Sequence, residues 1–166
     1  HAFLKEYRSQ FDRVIILNSN SVIIQSDPFT THFTYNTVGI TTTSYNSPIS
    51  YEESSKFSSI DSNSSLNFES KVPNINSMIL YGSVDGLLMF YGILFSHDNF
   101  KSQKIDEEIP LSAYINYFYH RGIFERNGLK LFVAVPGNFI CSIQNSDDTK
   151  AALSYYHSSP LDIRRK

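Results

Sequence analysis

The sequence predicts a single α+β domain, residues 1–166, whose mostly antiparallel sheet is built from hairpins with two or three packing helices. Short β-branched and aromatic runs occur in pairs with polar turn residues between them, which is typical of hairpins. A separate aromatic stretch has helical spacing. A chain of 166 residues fits one domain of this class and is long enough to bury a core.

The first eleven residues predict a helix. Four apolar side chains recur at intervals of three and four: Phe3, Leu4, Tyr7 and Phe11. Such spacing places them on one face of a helix over residues 2–11. This face either packs on the domain or is offered to a partner, and the sequence leaves both possibilities open.

The next segment predicts a hairpin and one or two further strands. The β-branched runs 14–17 and 22–24 flank the turn residues 18–21, so we expect these two runs to pair with each other. Residues 31–45 alternate loosely between apolar and Thr-rich positions, which indicates exposed strands.

Residues 47–77 predict a long loop or a mobile insertion within the domain. Eleven of these 31 residues are Ser and four are Asn, while apolar residues such as Phe57 and Ile60 are scattered. A stretch of this composition buries too little apolar surface to offset its ordering entropy.

The C-terminal half predicts the order ββαββα. Its elements are a hairpin of runs 78–81 and 87–95, a helix over 110–121 that stops at Gly122, a hairpin of runs 129–135 and 139–143, and a helix over 146–157. This order resembles that of longin and profilin-like folds, among others, and element order alone does not choose between them.

Composition restricts the class of function. A net charge of −2 argues against a dedicated nucleic-acid binder, which usually has a basic balance. Cys141 is the only cysteine, which excludes an intramolecular disulfide and fits a reducing compartment. No run approaches the roughly 20 apolar residues of a membrane span. Because the chain begins with His1, we expect a fragment of a larger protein. We further expect this protein to be eukaryotic and to lie in the cytoplasm or nucleus, since the single cysteine fits a reducing compartment.

No catalytic or metal-binding pattern rises above background. His97 and Asp98 form the only adjacent pair of a histidine and an acid, and they lie in a polar stretch that predicts a solvated loop. Cys141 lies within an apolar run, where a thiol is usually inert. The sequence therefore predicts no enzyme activity, no cofactor and no metal.

One stretch carries a family resemblance. Residues 80–86 resemble the opening of the LAGLIDADG homing-endonuclease motif, with Asp85 in the place of the metal-binding acid. Residues 121–128 are a looser second match, which places Glu125 in the corresponding role. Leu87 and Leu88 stand where the motif closes with an acid and a glycine, and the two acids are only 40 positions apart, 125 minus 85. The family's activity is therefore not carried over to this chain.

Tyrosines on the central helix lead to the functional prediction. Four aromatic side chains on one helix cannot all face one core, so we expect Tyr117 and Tyr119 to reach the surface or a second layer. The expected partner-binding residues are Tyr114, Tyr117, Tyr119, Tyr155 and Tyr156. The chain is accordingly predicted to be a non-catalytic docking module that binds another protein subunit of a complex.

The alternative is a nucleic-acid-binding domain that uses the sheet and the basic C-terminal tail. Its expected contacts are Arg121, Arg126, Arg164, Arg165 and Lys166. Affinity for nucleic acid would then fall steeply with salt, because phosphate contacts release counterions.

Overall fold

The computed structural model describes residues 1–17, 22–24, 26–29, 34–42, 57, 60, 74–96, 111–134 and 140–142. The elements follow in the order α1 (Ala2–Glu6), β1 (Arg13–Leu17), β2 (Val22–Ile24), β3 (Thr37–Thr42), β4 (Ile75–Ser83), α2 (Val84–Ser96), α3 (Leu111–His120), α4 (Ile123–Arg126), β5 (Lys130–Ala134) and β6 (Ile140–Ser142). This combination confirms the predicted α+β class.

Four strands form a mixed sheet in the order β1-β4-β3-β5. β4 pairs antiparallel with β1 and β3, whereas β5 runs parallel to β3. A parallel pair needs a crossover connection, and the chain between β3 and β5 supplies it with β4 and the helices α2, α3 and α4. β2 and β6 form a separate antiparallel pair.

The predicted hairpins are wrong in their pairing, although the runs do form strands. β1 pairs with β4 instead of β2, and β5 pairs with β3 instead of β6. Apolar runs with turn residues between them predict strands but leave the partner open, and burial against distant strands decides it here. β3 also differs from the exposed strand expected within 31–45, because it lies between β4 and β5 and all six of its residues are buried.

Residues 87–95 form most of α2 and no strand, so the predicted ββαββα order is wrong. Among the described residues, β4 is followed by three helices before the next strand. The Ser83 hydroxyl starts α2 as a helix cap: its Oγ accepts the Gly86 N–H at 2.9 Å and donates to the Tyr35 carbonyl at 2.6 Å. Because residues 86–95 carry no charge, this run shows no period that distinguishes helix from strand.

We expect the Ser83→Ala variant to lose about 1 to 2 kcal/mol of unfolding free energy, because a helix cap and a link to Tyr35 are removed together. Urea denaturation measures the loss. Ser96→Ala is the matched control at the other end of α2, where the exposed Ser96 hydroxyl only donates to the Ile93 carbonyl, and we expect less than about 0.5 kcal/mol there. Equal losses in the two variants would contradict the role of the cap.

Part of the predicted insertion belongs to the core. Residues 75–77 are the start of β4, and Ile75 is buried. Phe57 and Ile60 are helical in conformation and fully buried, with the Phe57 ring 6.0 Å from the Tyr117 ring. These two buried side chains attach the segment to the core, and Phe57 does so at α3. Its other residues before Asn74 lie outside the described part of the chain.

The hydrophobic core has two parts, one on each face of the mixed sheet. On the first face, buried side chains of α2 and α3 pack on strand residues such as Val38, Ile40 and Leu80. On the second face, Ile79 and Tyr81 are completely buried beneath partly buried side chains that include Val22 and Phe29. The sheet therefore lies between two apolar layers.

Candidate functional site

Two of the five tyrosines predicted to bind a partner, Tyr114 and Tyr117, are core residues. Tyr114 and Tyr117 are 1% and 4% exposed, so of the two expected positions Tyr117 does not take the surface one, and its ring packs against that of Phe57. The reason is that α3 is covered on two sides: residues 113–118 are all buried, by the sheet and by Phe57 and Ile60. Replacing Tyr117 would therefore test packing before it tested binding.

Tyr119 is the predicted tyrosine that keeps part of its surface. It is half-buried at the end of α3, with its ring 4.8 Å from the His120 ring. Burial, and secondly the Glu125 carboxylate, raise the pKa of the Tyr119 phenol above its usual value, so the hydroxyl stays neutral at physiological pH. Tyr155 and Tyr156 lie outside the described residues.

The structure describes two of the five basic residues that were expected to contact nucleic acid. Arg121 is half-buried with its guanidinium 5.7 Å from the centre of the Tyr117 ring, and Arg126 is exposed. Arg164, Arg165 and Lys166 lie outside the described residues. Ile79 and Tyr81 are completely buried on the second face of the sheet, so their side chains are not open to stacking with bases.

Asp85, the acid singled out by the LAGLIDADG resemblance, lies in the first turn of α2 and pairs with Arg8. Its Oδ1 is 2.7 Å from Arg8 Nε, and both side chains are largely exposed. Glu125 is exposed on α4. Within the described ranges, no three His, Cys, Asp or Glu side chains are grouped to hold a metal ion. His97 and Asp98 lie outside these ranges, as does the side chain of Cys141 in β6.

The unusual surface element is α2. Ten consecutive residues, 86–95, carry no charge, and the Tyr91 hydroxyl is their one polar side-chain group. The inner side of the helix is fully buried through Val84, Leu87, Phe90 and Leu94. An apolar helix of this kind is usually surrounded by protein on every side.

The outer side of α2 is open around Gly92. Asp85, Leu88, Gly92 and Ser96 follow one another at intervals of three and four, so they form one line along the helix. Gly92 is exposed, and a methyl group added to it would meet no heavy atom within 4 Å. Phe95, one helical turn further on, is 37% exposed.

α1 lies beside this line of residues. The apolar spacing of residues 2–11 predicted a helix here but not the element on which it packs. His1, which precedes α1, has its ring 5.7 Å from that of Phe95 near the end of α2, and Arg8, which follows α1, pairs with Asp85 at the start of α2. The two segments therefore run antiparallel. The Leu4 side chain of α1 is buried against the core, while that of Phe3 is 59% exposed.

Only half of the apolar stripe predicted over residues 2–11 is thus used for internal packing. The helix itself is shorter than predicted and ends at Glu6. Tyr91 of α2 is half-buried, with its ring 5.8 Å from that of Phe95. Burial raises the pKa of Tyr91, so its hydroxyl remains protonated at neutral pH. We call Phe3, Leu88, Tyr91, Gly92 and Phe95 together the α1–α2 face.

Comparison with known proteins assigns no family to this chain. It matches no protein-family model, no curated protein and no solved structure. None of the helices that the structure describes has the length and apolar character needed to cross a membrane. The use of the α1–α2 face must therefore be argued from its own residues.

Proposed function

We propose that this chain is a non-catalytic docking module, a subunit of an intracellular multiprotein complex, and that another protein binds its α1–α2 face. The observation that carries the proposal is α2, which is uncharged from residue 86 to residue 95 and yet exposes Gly92 and Phe95. A partner lying on this face completes the burial that such a helix normally has.

The residue types on the face support a protein partner. Aromatic side chains are enriched at the centres of protein interfaces, where charged groups are depleted. Phe3, Tyr91 and Phe95 supply the aromatic surface, and the single charge of α2, Asp85, lies at its edge beside Arg8. A charge at the rim and apolar side chains at the centre are the usual arrangement of an interface.

Gly92 indicates the shape of the bound element. Since Gly92 has no side chain, is exposed, and would meet no heavy atom of the described residues within 4 Å of an added methyl group, the backbone of a partner can approach α2 closely at this point. Leu88 and Phe95 stand on either side along the same helix. A partner helix that places an apolar side chain over Gly92, between Leu88 and Phe95, fits this surface in the way that an amphipathic helix binds in a groove.

The test uses the purified chain as bait in a cell extract, with and without nuclease. We expect a discrete protein to be retained in both cases, because the proposed surface is apolar and owes nothing to phosphate contacts. Capture that disappears with nuclease would overturn the proposal in favour of nucleic-acid binding, and loss of that capture at high salt would identify phosphate contacts as its cause. Retention of no protein at all would also overturn it.

A further inference from the structure

Four exposed side chains surround the junction between β4 and α2, at the end of α2 remote from Phe95. The Asp12 carbonyl accepts the Val84 N–H at 3.2 Å, which fixes the adjacent Phe11 on one side of the junction. The Tyr35 carbonyl accepts the Ser83 hydroxyl at 2.6 Å on the other side. These two segments lead into β1 and β3, which flank β4, so they lie about 10 Å apart, two strand spacings.

The aromatic side chains at this corner are presented on fixed backbone. Tyr35 is 74% exposed and Phe11 is 47% exposed. Asn36 holds the turn that carries Tyr35. Its side-chain Nδ2 donates to the Gly128 carbonyl, and its backbone carbonyl accepts the Lys130 N–H, both at 2.8 Å. An aromatic side chain on ordered backbone loses little entropy on binding, which suits it to anchor an interface.

The charges between these aromatics are self-complementary. Arg8 Nε and Asp85 Oδ1, 2.7 Å apart, use one N–H of the guanidinium and one oxygen of the carboxylate. A guanidinium has four further N–H donors and a carboxylate a second oxygen. A surface with adjacent opposite charges can pair with an identical surface across a two-fold axis, because each cation then meets the anion of the other copy.

We infer that this corner, formed by Arg8, Phe11, Tyr35 and Asp85, is the interface of a symmetric dimer of the chain. The two-fold axis passes beside Asp85, so that Arg8 of each copy binds Asp85 of the other and the four charges alternate in a ring. Phe11 and Tyr35 pack around this ring. The dimer covers Arg8 and Asp85 at the rim of the α1–α2 face but leaves Leu88, Gly92 and Phe95 open, so it does not depend on the proposed docking function.

Sedimentation equilibrium over a range of concentrations tests the dimer. We expect the wild-type mass to rise with concentration from 19.0 kDa towards twice that value. Arg8→Asp and Asp85→Arg should each weaken self-association at least about 10-fold, because like charges then face one another across the axis. An equimolar mixture of the two variants should restore association, since every introduced charge then meets an opposite charge on the other chain.

Three outcomes would overturn the inference. A monomeric mass for the wild-type chain up to about 1 mM excludes a dimer of any useful strength. Dimerisation that both charge reversals leave unchanged, in variants with wild-type circular dichroism, places the interface elsewhere. If the mixture of the two variants associates as weakly as each variant alone, Arg8 and Asp85 do not pair reciprocally between the two copies. Gly92→Arg is the control on the other face, and it should leave the dimer intact.

Discussion

The Gly39→Ala variant is expected to lose about 3 kcal/mol of unfolding free energy, the upper part of the range for overpacking a core. The added methyl group would lie 2.2 Å from Cζ of Tyr81 and within 2.6 Å of two further ring atoms. The ring cannot withdraw easily, because Tyr81 is completely buried and has the Phe29 ring 6.1 Å away in edge-on contact. Urea denaturation of the two proteins measures the difference.

Gly92→Ala is the matched control, with the same chemical change and the opposite expected sign. A methyl group at Gly92 meets no atom within 4 Å, and alanine stabilises a helix interior over glycine by up to about 1 kcal/mol. A double-mutant cycle identifies the cause: in a Tyr81→Ala background, Gly39→Ala should cost less than about 1 kcal/mol. The same cost in both backgrounds would show that the Tyr81 ring is not responsible.

The second large effect is expected at Asn116, whose buried amide joins α3 to β4. Its Oδ1 accepts the Ile75 N–H at 2.7 Å, and its Nδ2 donates to the carbonyls of Ile75 and Ser112 at 3.0 and 2.9 Å. The pairing of β1 with β4 ends at Ile79. At Ile75, the Asn116 amide makes the hydrogen bonds that a neighbouring strand would otherwise make. Asn116→Ala leaves these buried backbone groups without their partner and should cost about 3 kcal/mol in urea denaturation.

Asn116→Asp adds a pH dependence with a definite sign. Burial against two carbonyl oxygens should raise the pKa of the introduced carboxyl in the folded state above its unfolded value of about 3.9. The proton then stabilises the fold below about pH 3.9, and this contribution is lost as the pH rises through the folded-state pKa. We therefore expect the variant, measured relative to the wild type, to be less stable at pH 7 than at pH 4.

Asn127→Asp provides the control for this experiment. Asn127 is exposed, and its Nδ2 donates to the Ile123 carbonyl at 2.8 Å on the surface of α4. We expect a loss below about 0.5 kcal/mol with little dependence on pH. The same pH dependence in both aspartate variants would contradict the buried role of Asn116.

The sequence predicted an element correctly where its apolar residues have helical spacing and a glycine marks its end. α3 was expected over 110–121 and extends from Leu111 to His120. Gly122 follows it with φ 61°, a left-handed conformation that favours glycine at a helix end. α2 was missed because ten uncharged residues show neither a helical nor a strand period. Ser83 and Gly86 were assigned to a hairpin turn, although their spacing also suits a helix cap.

Strand partners and the exposed surface could not be predicted, for a different reason. The β-branched run of β1 is compatible with several partners, and its selection of β4 depends on the whole core. Likewise, Tyr117 is buried because Phe57 reaches it from a distant polar segment. The aromatic stripe of residues 2–11 was recognised from its spacing, but only the packing of α1 on α2 determines that Leu4 is buried and Phe3 exposed.

The most direct test of the proposed docking surface is the affinity of the captured partner for three forms of the chain: wild type, Gly92→Arg and Asn127→Arg. Arginine at either exposed position should preserve folding, which the melting temperature verifies. We expect Gly92→Arg to raise Kd at least about 100-fold, because a charged side chain then occupies the centre of an apolar contact. Asn127→Arg should leave Kd within about threefold of wild type. Equal affinity of all three forms would show that the partner binds elsewhere and would contradict the assignment of the α1–α2 face.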